Sequence, residues 1–395
     1  PPTGAITTVE NGTAAIKVMA GGLEFGDDIE AGQRDYNLAT EGQRQPGSSA
    51  KPFALIAYLE QGGSLNSYWN ISSPLVIECD VPCGDDGGFE WTVRGGRVAG
   101  GLRSLEASTY FSTNPTFAQI AVEVGPEAMA EVANRLGVSA ELPLVYSLAL
   151  GAGEVSPLDM AAAYSTIANQ GVRYQPILIE RVEDADGNVC WYPSNGVCSS
   201  GPGRTPTDPS ALTPDIAQQV TYALTQVVEA GTGRAAGEGL SWPAAGKTGT
   251  TQDNRDAWFV GFTCDVTAAV WMGYTGAPGE PVRNMSDFRG IEVHGGDFPA
   301  EMWGSFMRRV AESQWASERE PCTDLAIRET SDGLVLNPEL STTTLPPCAP
   351  EAPKEPEPGS SPTSAGQPTS TTQPLETTTT EPCAPAESPV GDTST

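Results

Sequence analysis

The sequence predicts an α+β fold, a sheet closed by segments from distant parts of the chain with helices between them. Strand-like runs flank Asn11-Gly12 near the start and return around Lys247, and the interval carries apolar residues at helical spacing. Repeating strand–helix–strand units are missing, and no internal repeat is visible.

In chain order, residues 5–20 (AITTVENGTAAIKVMA) hold two β-leaning runs around Asn-Gly, the strongest short hairpin signal. Residues 21–46 are polar and irregular. A helix is expected from about Ser48, with Phe53, Leu55, Ile56, Ala57 and Leu59 apolar and Gly62-Gly63 ending it. Pro52 is tolerated because a first-turn N–H has no intrahelical partner. Residues 72–100 form a Gly-rich excursion containing cysteines. Helical patterns follow at 103–111, 116–124, 126–136, 157–169 and 214–229. Three strand-like runs come next, WPAAGKTGT, DAWFVGFT and VTAAVWMGY, and a last helix is expected at 299–313.

Composition divides the 395 residues unevenly. Residues 1–330 are expected to be one folded domain. Residues 331–395 are dominated by Pro, Thr, Ser and Glu, bury too little to offset their ordering entropy, and are expected to be a disordered tail. The net charge is −29, of which nine acids and one lysine in the tail account for −8. So acidic a surface argues against nucleic acid or anionic lipid as partners.

The eight cysteines lack zinc-type spacing, and the single histidine, His294, leaves no mixed ligand set. No metal or cofactor is expected. Disulfides are the preferred reading, expected as Cys79–Cys83, Cys190–Cys198 and Cys264–Cys322, with Cys348 and Cys383 in the tail; spacing does not fix this connectivity. There is no signal peptide, start methionine or membrane-length apolar run, yet cysteine pairs imply export. The expectation is a soluble piece of a longer, membrane-anchored or secreted protein.

The chemistry turns on lysine. There are four lysines against seventeen arginines, and Lys51 alone has a serine, Ser48, three residues before it. A serine nucleophile usually has a histidine base, but His294 lies among loop glycines and reads as structural, and no Gly-x-Ser-x-Gly elbow occurs. If serine chemistry occurs, lysine must be the base. Residues i and i+3 share a helix face, so Lys51 can reach the Ser48 hydroxyl at a helix N-terminus. Its amine serves only if burial and a neighbouring cation lower its pKa. The plain alternative is an N-cap serine beside a solvated lysine. Lys247 stands among small residues on a strand, with the Thr248 and Thr250 hydroxyls suited to a carboxylate. Residues 110–117, YFSTNPTF, break two helices and can present Ser112 and Asn114, though alone they read as a helix stop and a cap.

Ser48-x-x-Lys51, Ser112-Thr113-Asn114 and Lys247-Thr248-Gly249 occur in that order, and over residues 4–315 the chain resembles the transpeptidase domain of class A (bifunctional) penicillin-binding proteins. RQPGSSAKPF, LALGAGEVSPLDMAAAYSTIANQGVRYQP, EAGTGRAAG and GGDFPAEMWGSFM carry the resemblance further. It implies a β-lactamase/transpeptidase-like α+β fold, with a central antiparallel sheet flanked by helices on both faces and an all-helical subdomain. It implies that Ser48 attacks a D-Ala-D-Ala stem peptide, that D-Ala leaves, and that a neighbouring amine takes the acyl group. β-Lactams would acylate the same serine. Lys51 would be the base, Ser112 a proton relay, Asn114 a substrate amide ligand, and Lys247 a positive charge bonded to Ser112. Thr248, Gly249 and Thr250 would line the carboxylate site, and the Ser48 and Thr250 N–H groups would form the oxyanion hole. The Lys-Thr-Gly strand would be a sheet edge to which the substrate adds. The resemblance also implies a place on the extracytoplasmic face of the plasma membrane, held by an N-terminal anchor.

Ala50 departs from the aromatic residue usual between the serine pair and the lysine, and the cysteines and tail are not general family features. No glycosyltransferase motif is seen, so no glycan polymerisation is expected. The arginine excess suggests a high-GC Gram-positive (actinobacterial) source. Three rivals share the motifs: a D,D-carboxypeptidase, a β-lactam sensor and a class A β-lactamase. The last would need a deacylating glutamate, and the only candidate, Glu131 with Asn134, falls on the expected solvent face of a helix.

Overall fold

Asn11-Gly12 turns the chain as its sequence predicts, with Gly12 at φ 78° between antiparallel strands β1 (Thr3–Glu10) and β2 (Ile16–Ala20). The computed structural model describes residues 2–319 except 23, 29–32, 34, 80–82, 84–87, 96–99, 180–181, 184–188, 191–205 and 276–282, with 325, 327–330 and 333–336 beyond. Of the tail expected over residues 331–395, Gly333–Leu336 is described, as a strand paired antiparallel with Ile327–Thr330, and the rest lies outside the described residues.

A 3-10 turn (Gly47–Ala50) runs into α1 (Lys51–Glu60). Two small ladders follow: β3 (Tyr68–Asn70), and the hairpin β4 (Leu75–Glu78) with β5 (Glu90–Val93). β6 (Leu102–Ser104) pairs with β3 and leads into α2 (Leu105–Tyr110). The helix expected from residue 103 begins later because the Ser104 side chain accepts from Ala107 N–H and caps it. α3 (Asn114–Val124), α4 (Pro126–Leu136) and α5 (Pro157–Ala168) each start with proline in the first turn. The two-residue β7 (Val182–Glu183) and β8 (Val189–Cys190) precede α6 (Pro214–Glu229) and α7 (Arg234–Gly237). Strands β9 (Ala245–Thr250), β10 (Asp256–Phe262) and β11 (Val266–Gly273) and helix α8 (Phe298–Ala311) complete the frame.

The sheet runs β2-β1-β11-β10-β9, antiparallel throughout, so the chain's first strands pair with strands more than 230 residues later. β10 is buried at every position, since helices cover both faces. On one face Trp258, Val260 and Phe262 join the core shared with α1 and α3–α6. On the other, Phe259 and Val270 pack against α8 through Trp303 and Met307. Trp303 Nε1–H reaches the Gly261 and Ala268 carbonyls at 3.3 and 3.2 Å, which satisfies its buried donor.

α1 is buried from Lys51 to Leu59, apolar all round except for that one lysine, and lies among α3, α4 and α6 as the centre of a helical subdomain. The α+β architecture is as expected. Cys79–Cys83 is formed, and Cys264 is disulfide-bonded, its expected partner Cys322 lying outside the described residues. The side chains of Cys190, Cys198, Cys348 and Cys383 also lie outside them.

The Asn11 side chain fastens the hairpin to the sheet centre. Its amide donates to the Thr263 and Cys264 carbonyls at 2.9 and 3.1 Å, and its oxygen accepts from the buried Thr267 hydroxyl at 2.7 Å. Asn11→Ala is expected to lower unfolding free energy by about 2 kcal/mol, because Thr267 keeps its burial and loses its partner. Equilibrium denaturation measures this; an unchanged midpoint would show that the three bonds add nothing net.

Candidate active site

The segment before Ser48 is tied to its surroundings along its whole length, chiefly to the sheet. Arg44 exchanges backbone hydrogen bonds with Val155, and its guanidinium pairs with Asp256 at 2.7 Å above the Trp271 ring. Trp258 Nε1–H then donates to the Gln45 carbonyl at 2.8 Å. Gly47 has φ 55°, and a Cβ there would lie 2.6 Å from the Thr250 carbonyl oxygen. A Cβ on Gly249 would lie 2.2 Å from the Pro46 oxygen. Both must be glycine for the serine turn to press against β9. Ser49 is buried beneath, its hydroxyl on the Pro46 carbonyl and its carbonyl on the Tyr164 hydroxyl, each at 2.7 Å. Ser48 caps no helix: it sits inside the 3-10 turn, in whose geometry residues three apart eclipse one another. Ser48 and Lys51 thus share a face.

Lys51 and Lys247 are both fully buried. Lys51 Nζ donates to Ser112 O at 2.6 Å, Ser112 Oγ at 3.1 Å and Asn114 Oδ1 at 2.8 Å. Lys247 Nζ meets the same Ser112 Oγ at 2.8 Å and Thr248 O at 3.1 Å. The sequence predicts a reach from Lys51 to the Ser48 hydroxyl; the amine's hydrogen bonds go instead to Ser112 and Asn114, whose carbonyl oxygens are the stronger acceptors. Ser112 adopts φ 58° in the break between α2 and α3, aiming its hydroxyl at both amines. Asn114 Nδ2 donates to the Arg94 carbonyl at 3.3 Å, just past the disulfide-bearing hairpin.

Burial, and secondarily the Lys247 charge, hold the Lys51 amine well below the ordinary lysine range. Burial brings Lys247 down to about 7. An amine so depressed can accept a proton near neutrality, and Ser112 Oγ, touching both, can pass one between them.

β9 is an edge strand. Thr251 N–H bonds the Asp256 carbonyl, so by ladder alternation the Thr248 and Thr250 N–H groups point to the open edge. A cavity of about 350 Å³ lies there, lined by Ser48, Ser112, Thr232, Thr248, Thr250, His294, Gly296 and Asp297. The Thr232 and Thr248 hydroxyls are 2.7 Å apart. Thr250 Oγ1 accepts from Gly295 N–H at 3.0 Å, leaving its own proton to be donated. All the expected side chains therefore converge, with Gly249 contributing backbone clearance. The sequence reading missed Thr232 and Asp297, and took His294 for a loop residue. A signal for Thr232 exists: the flanking Gly231 and Gly233 allow close approach, a Cβ at Gly231 falling 2.3 Å from the Tyr110 oxygen. Among the described residues no cluster could hold a metal ion.

A sheet built from segments far apart in the chain, with a helical subdomain set against it and the cleft at its edge strand, defines the transpeptidase/β-lactamase-like class of α+β domain. Within that class the chain belongs to one family, the penicillin binding protein transpeptidase domain, whose model matches residues 4–288. It is 32% identical over 308 residues to penicillin-binding protein 1A of Neisseria lactamica, covering 77% of this chain and 35% of the relative. The chain thus spans about a third of the length of the curated relatives it matches. In fold it is similar to the penicillin-binding protein PonA1 of Mycobacterium tuberculosis, with TM-score 0.65, 23% identity and coverage of 93% of this chain and 85% of that one. It is also similar to the D,D-transpeptidase domain of a peptidoglycan glycosyltransferase from Eggerthella lenta, with TM-score 0.60, 23% identity and coverage of 80% and 79%.

Replacing Lys247 by methionine removes the positive charge that disfavours a proton on Lys51, so the Lys51 pKa should rise. With four lysines in the chain, isotope-labelled lysine NMR can follow that titration. A Lys51 pKa that stays put or falls would show that the two amines are uncoupled.

Proposed function

We propose that the chain is the D,D-transpeptidase part of a peptidoglycan synthase, working through an acyl-enzyme on Ser48 and blocked by β-lactams at the same serine. The observation that carries this reading is the meeting of two buried lysines on one hydroxyl, in the wall of the cavity that holds Ser48.

The roles follow from position. Ser48 Oγ attacks the carbonyl of the penultimate D-Ala, and neutral Lys51 takes its proton. The carbonyl oxygen becomes an oxyanion held by the Ser48 and Thr250 N–H groups. Asn114 orients the substrate amide, while Lys247 with Thr248 and Thr250 holds the terminal carboxylate, Gly249 keeping that strand close to the serine turn. Ser112 relays the proton to the leaving nitrogen, the C–N bond breaks, and D-Ala departs. An acceptor amine on a neighbouring stem then attacks the ester, loses a proton along the same route, and frees Ser48. The substrates place this domain on the extracytoplasmic face of the plasma membrane, within a longer protein. Among the described residues no helix is long and apolar enough to cross a membrane. The domain limits of 1–330 and 331–395 and a high-GC Gram-positive source belong to the same reading.

D,D-carboxypeptidase action differs only in water replacing the amine, and a β-lactam-hydrolysing or sensing role uses the same first step. The hydrolytic variant is disfavoured because the Glu131 side chain is 75% exposed and pairs with Arg135.

Intact-mass analysis after benzylpenicillin should show one persistent adduct that Ser48→Ala abolishes. An adduct surviving that change would overturn the assignment, and rapid release of hydrolysed drug would favour a β-lactamase. Lys51→Met should slow acylation by about 10²–10⁴-fold, the usual worth of a positioned base.

The acylation rate should be bell-shaped in pH. Lys51 must be unprotonated to act, so the rate rises through its lowered pKa; Lys247 must be protonated to hold a carboxylate, so it falls above about 7. The two limbs belong to the coupled pair. A profile flat from about pH 5 to 9 would refute lysine as base.

A further inference from the structure

His294 stands at the rim of the cavity, and its setting is too constrained for a passive loop residue. Asp253 and Asn254, consecutive non-glycine residues after β9, both adopt left-handed backbone, with φ 57° and 53°. Such strain persists only where the surroundings impose it. Here it turns the buried Asn254 side chain towards the 293–297 loop. Asn254 Nδ2 lies 2.8 Å from the Val293 carbonyl and 3.2 Å from His294 Nδ1. A carbonyl can only accept, so the amide edge facing the loop is the NH2 group, and its second proton goes to Nδ1. His294 Nδ1 is then an acceptor, and the neutral ring carries its proton on Nε2. The Glu292 carboxylate stands 3.8 Å from Nε2, beyond hydrogen-bond distance.

The loop itself is pinned. His294 N–H donates to the Asp297 carboxylate at 2.8 Å, Asp297 N–H returns to the His294 carbonyl at 3.0 Å, and Gly295 N–H holds Thr250 Oγ1. A Cβ on Gly295 would lie 2.2 Å from the Trp258 oxygen and 2.4 Å from the Gly249 oxygen, so the loop rests directly on the sheet at the Lys-Thr-Gly strand. That fixes His294 beside Thr248 and Thr250, the latter with its hydroxyl proton left to give. The Asp297 carboxylate, the negative group in the lining, is turned onto the His294 backbone N–H.

We propose that His294, held by Asn254 with its proton on Nε2, is a substrate-binding residue that donates to the carboxylate of the incoming donor peptide or β-lactam. Asn254 is the positioning residue that sets the tautomer. This deepens the acyl-transfer reading and rests on it.

The test compares acylation of Ser48 by benzylpenicillin and by its carboxylate methyl ester, in wild type, His294→Leu and His294→Gln. Removing the donor should slow acylation by the acid about tenfold, the ordinary worth of a hydrogen bond to a charged group. Glutamine, whose amide nitrogen can occupy the Nε2 position, should restore the rate to within about threefold. With the ester, wild type and His294→Leu should match. Equal losses with acid and ester, or no loss with either, would overturn the proposal. A wild type that forms no Ser48 adduct would instead sink the acyl-transfer reading, so the two failures are distinguishable. Because the chain has one histidine, its ring 15N signals are unambiguous. They should report the Nε2–H tautomer in wild type and lose that bias in Asn254→Ala; an Nδ1–H ring in the wild type would also overturn the proposal.

Discussion

Two buried amines sharing one hydroxyl set the terms for the rest of the molecule. Unit charges about 4 Å apart repel by roughly 4 kcal/mol at an effective dielectric near 20. Lys51 and Lys247 both contact Ser112 Oγ and both are fully buried, so a doubly protonated pair is disfavoured twice, by desolvation and by repulsion. The pair relaxes by releasing a proton, and the amine that feels its neighbour's charge is the one beside the serine turn. Placement alone thus depresses the Lys51 amine, which is what the base role proposed for it requires. The three acceptors on Lys51 keep it from leaving the interior when it is protonated.

That placement accounts for features of the fold that otherwise look arbitrary. α1 is apolar from Pro52 to Leu59 because it starts at Lys51 and runs into the centre of the helical subdomain. Gly47 and Gly249 remove the side chains that would part the serine turn from β9, and the Arg44–Asp256 pair with the Trp258 indole fastens the turn from behind. β9 must stay at the sheet edge, since a further strand there would bury the N–H groups of Thr248 and Thr250. On the proposed function, one edge then serves both the terminal carboxylate and the oxyanion.

Much of this is legible in the sequence, and the reason is local. Asn11-Gly12 fixes a hairpin, Pro52 and Gly62 bracket a helix, and the rarity of lysine makes Ser48-x-x-Lys51 stand out before anything is known of its neighbours. Three short motifs name nearly the whole site because each depends on spacing within one element. What stays hidden depends on contact between elements. The glycines flanking Thr232 signal a close approach but not that its hydroxyl meets Thr248, and His294 and Asp297 read as loop chemistry until the loop is seen lying on the Lys-Thr-Gly strand. Strain at Asp253 and Asn254 is equally silent, since neither is a glycine. The reach of Lys51 shows the same limit from the other side: i and i+3 spacing gives the shared face correctly, but its partners come from a loop 61 residues away.

The same geometry bears on how one site could run both halves of an acyl transfer. In the proposed first half Lys51 gains the Ser48 proton and, through Ser112, returns it to the departing nitrogen, so it ends neutral, as it began. On the proposed function the second half resembles the first in reverse, with a different amine that can approach the ester through the space the departing nitrogen left. That space is bounded by Thr232, Thr248, Thr250, His294 and Asp297. A water molecule has no carboxylate and no side chain to engage such a wall, whereas an amine on a stem peptide can be oriented by it. On the proposed function, the donors that hold the terminal D-Ala would become, once it has gone, a surface able to orient an amine-bearing peptide in preference to water.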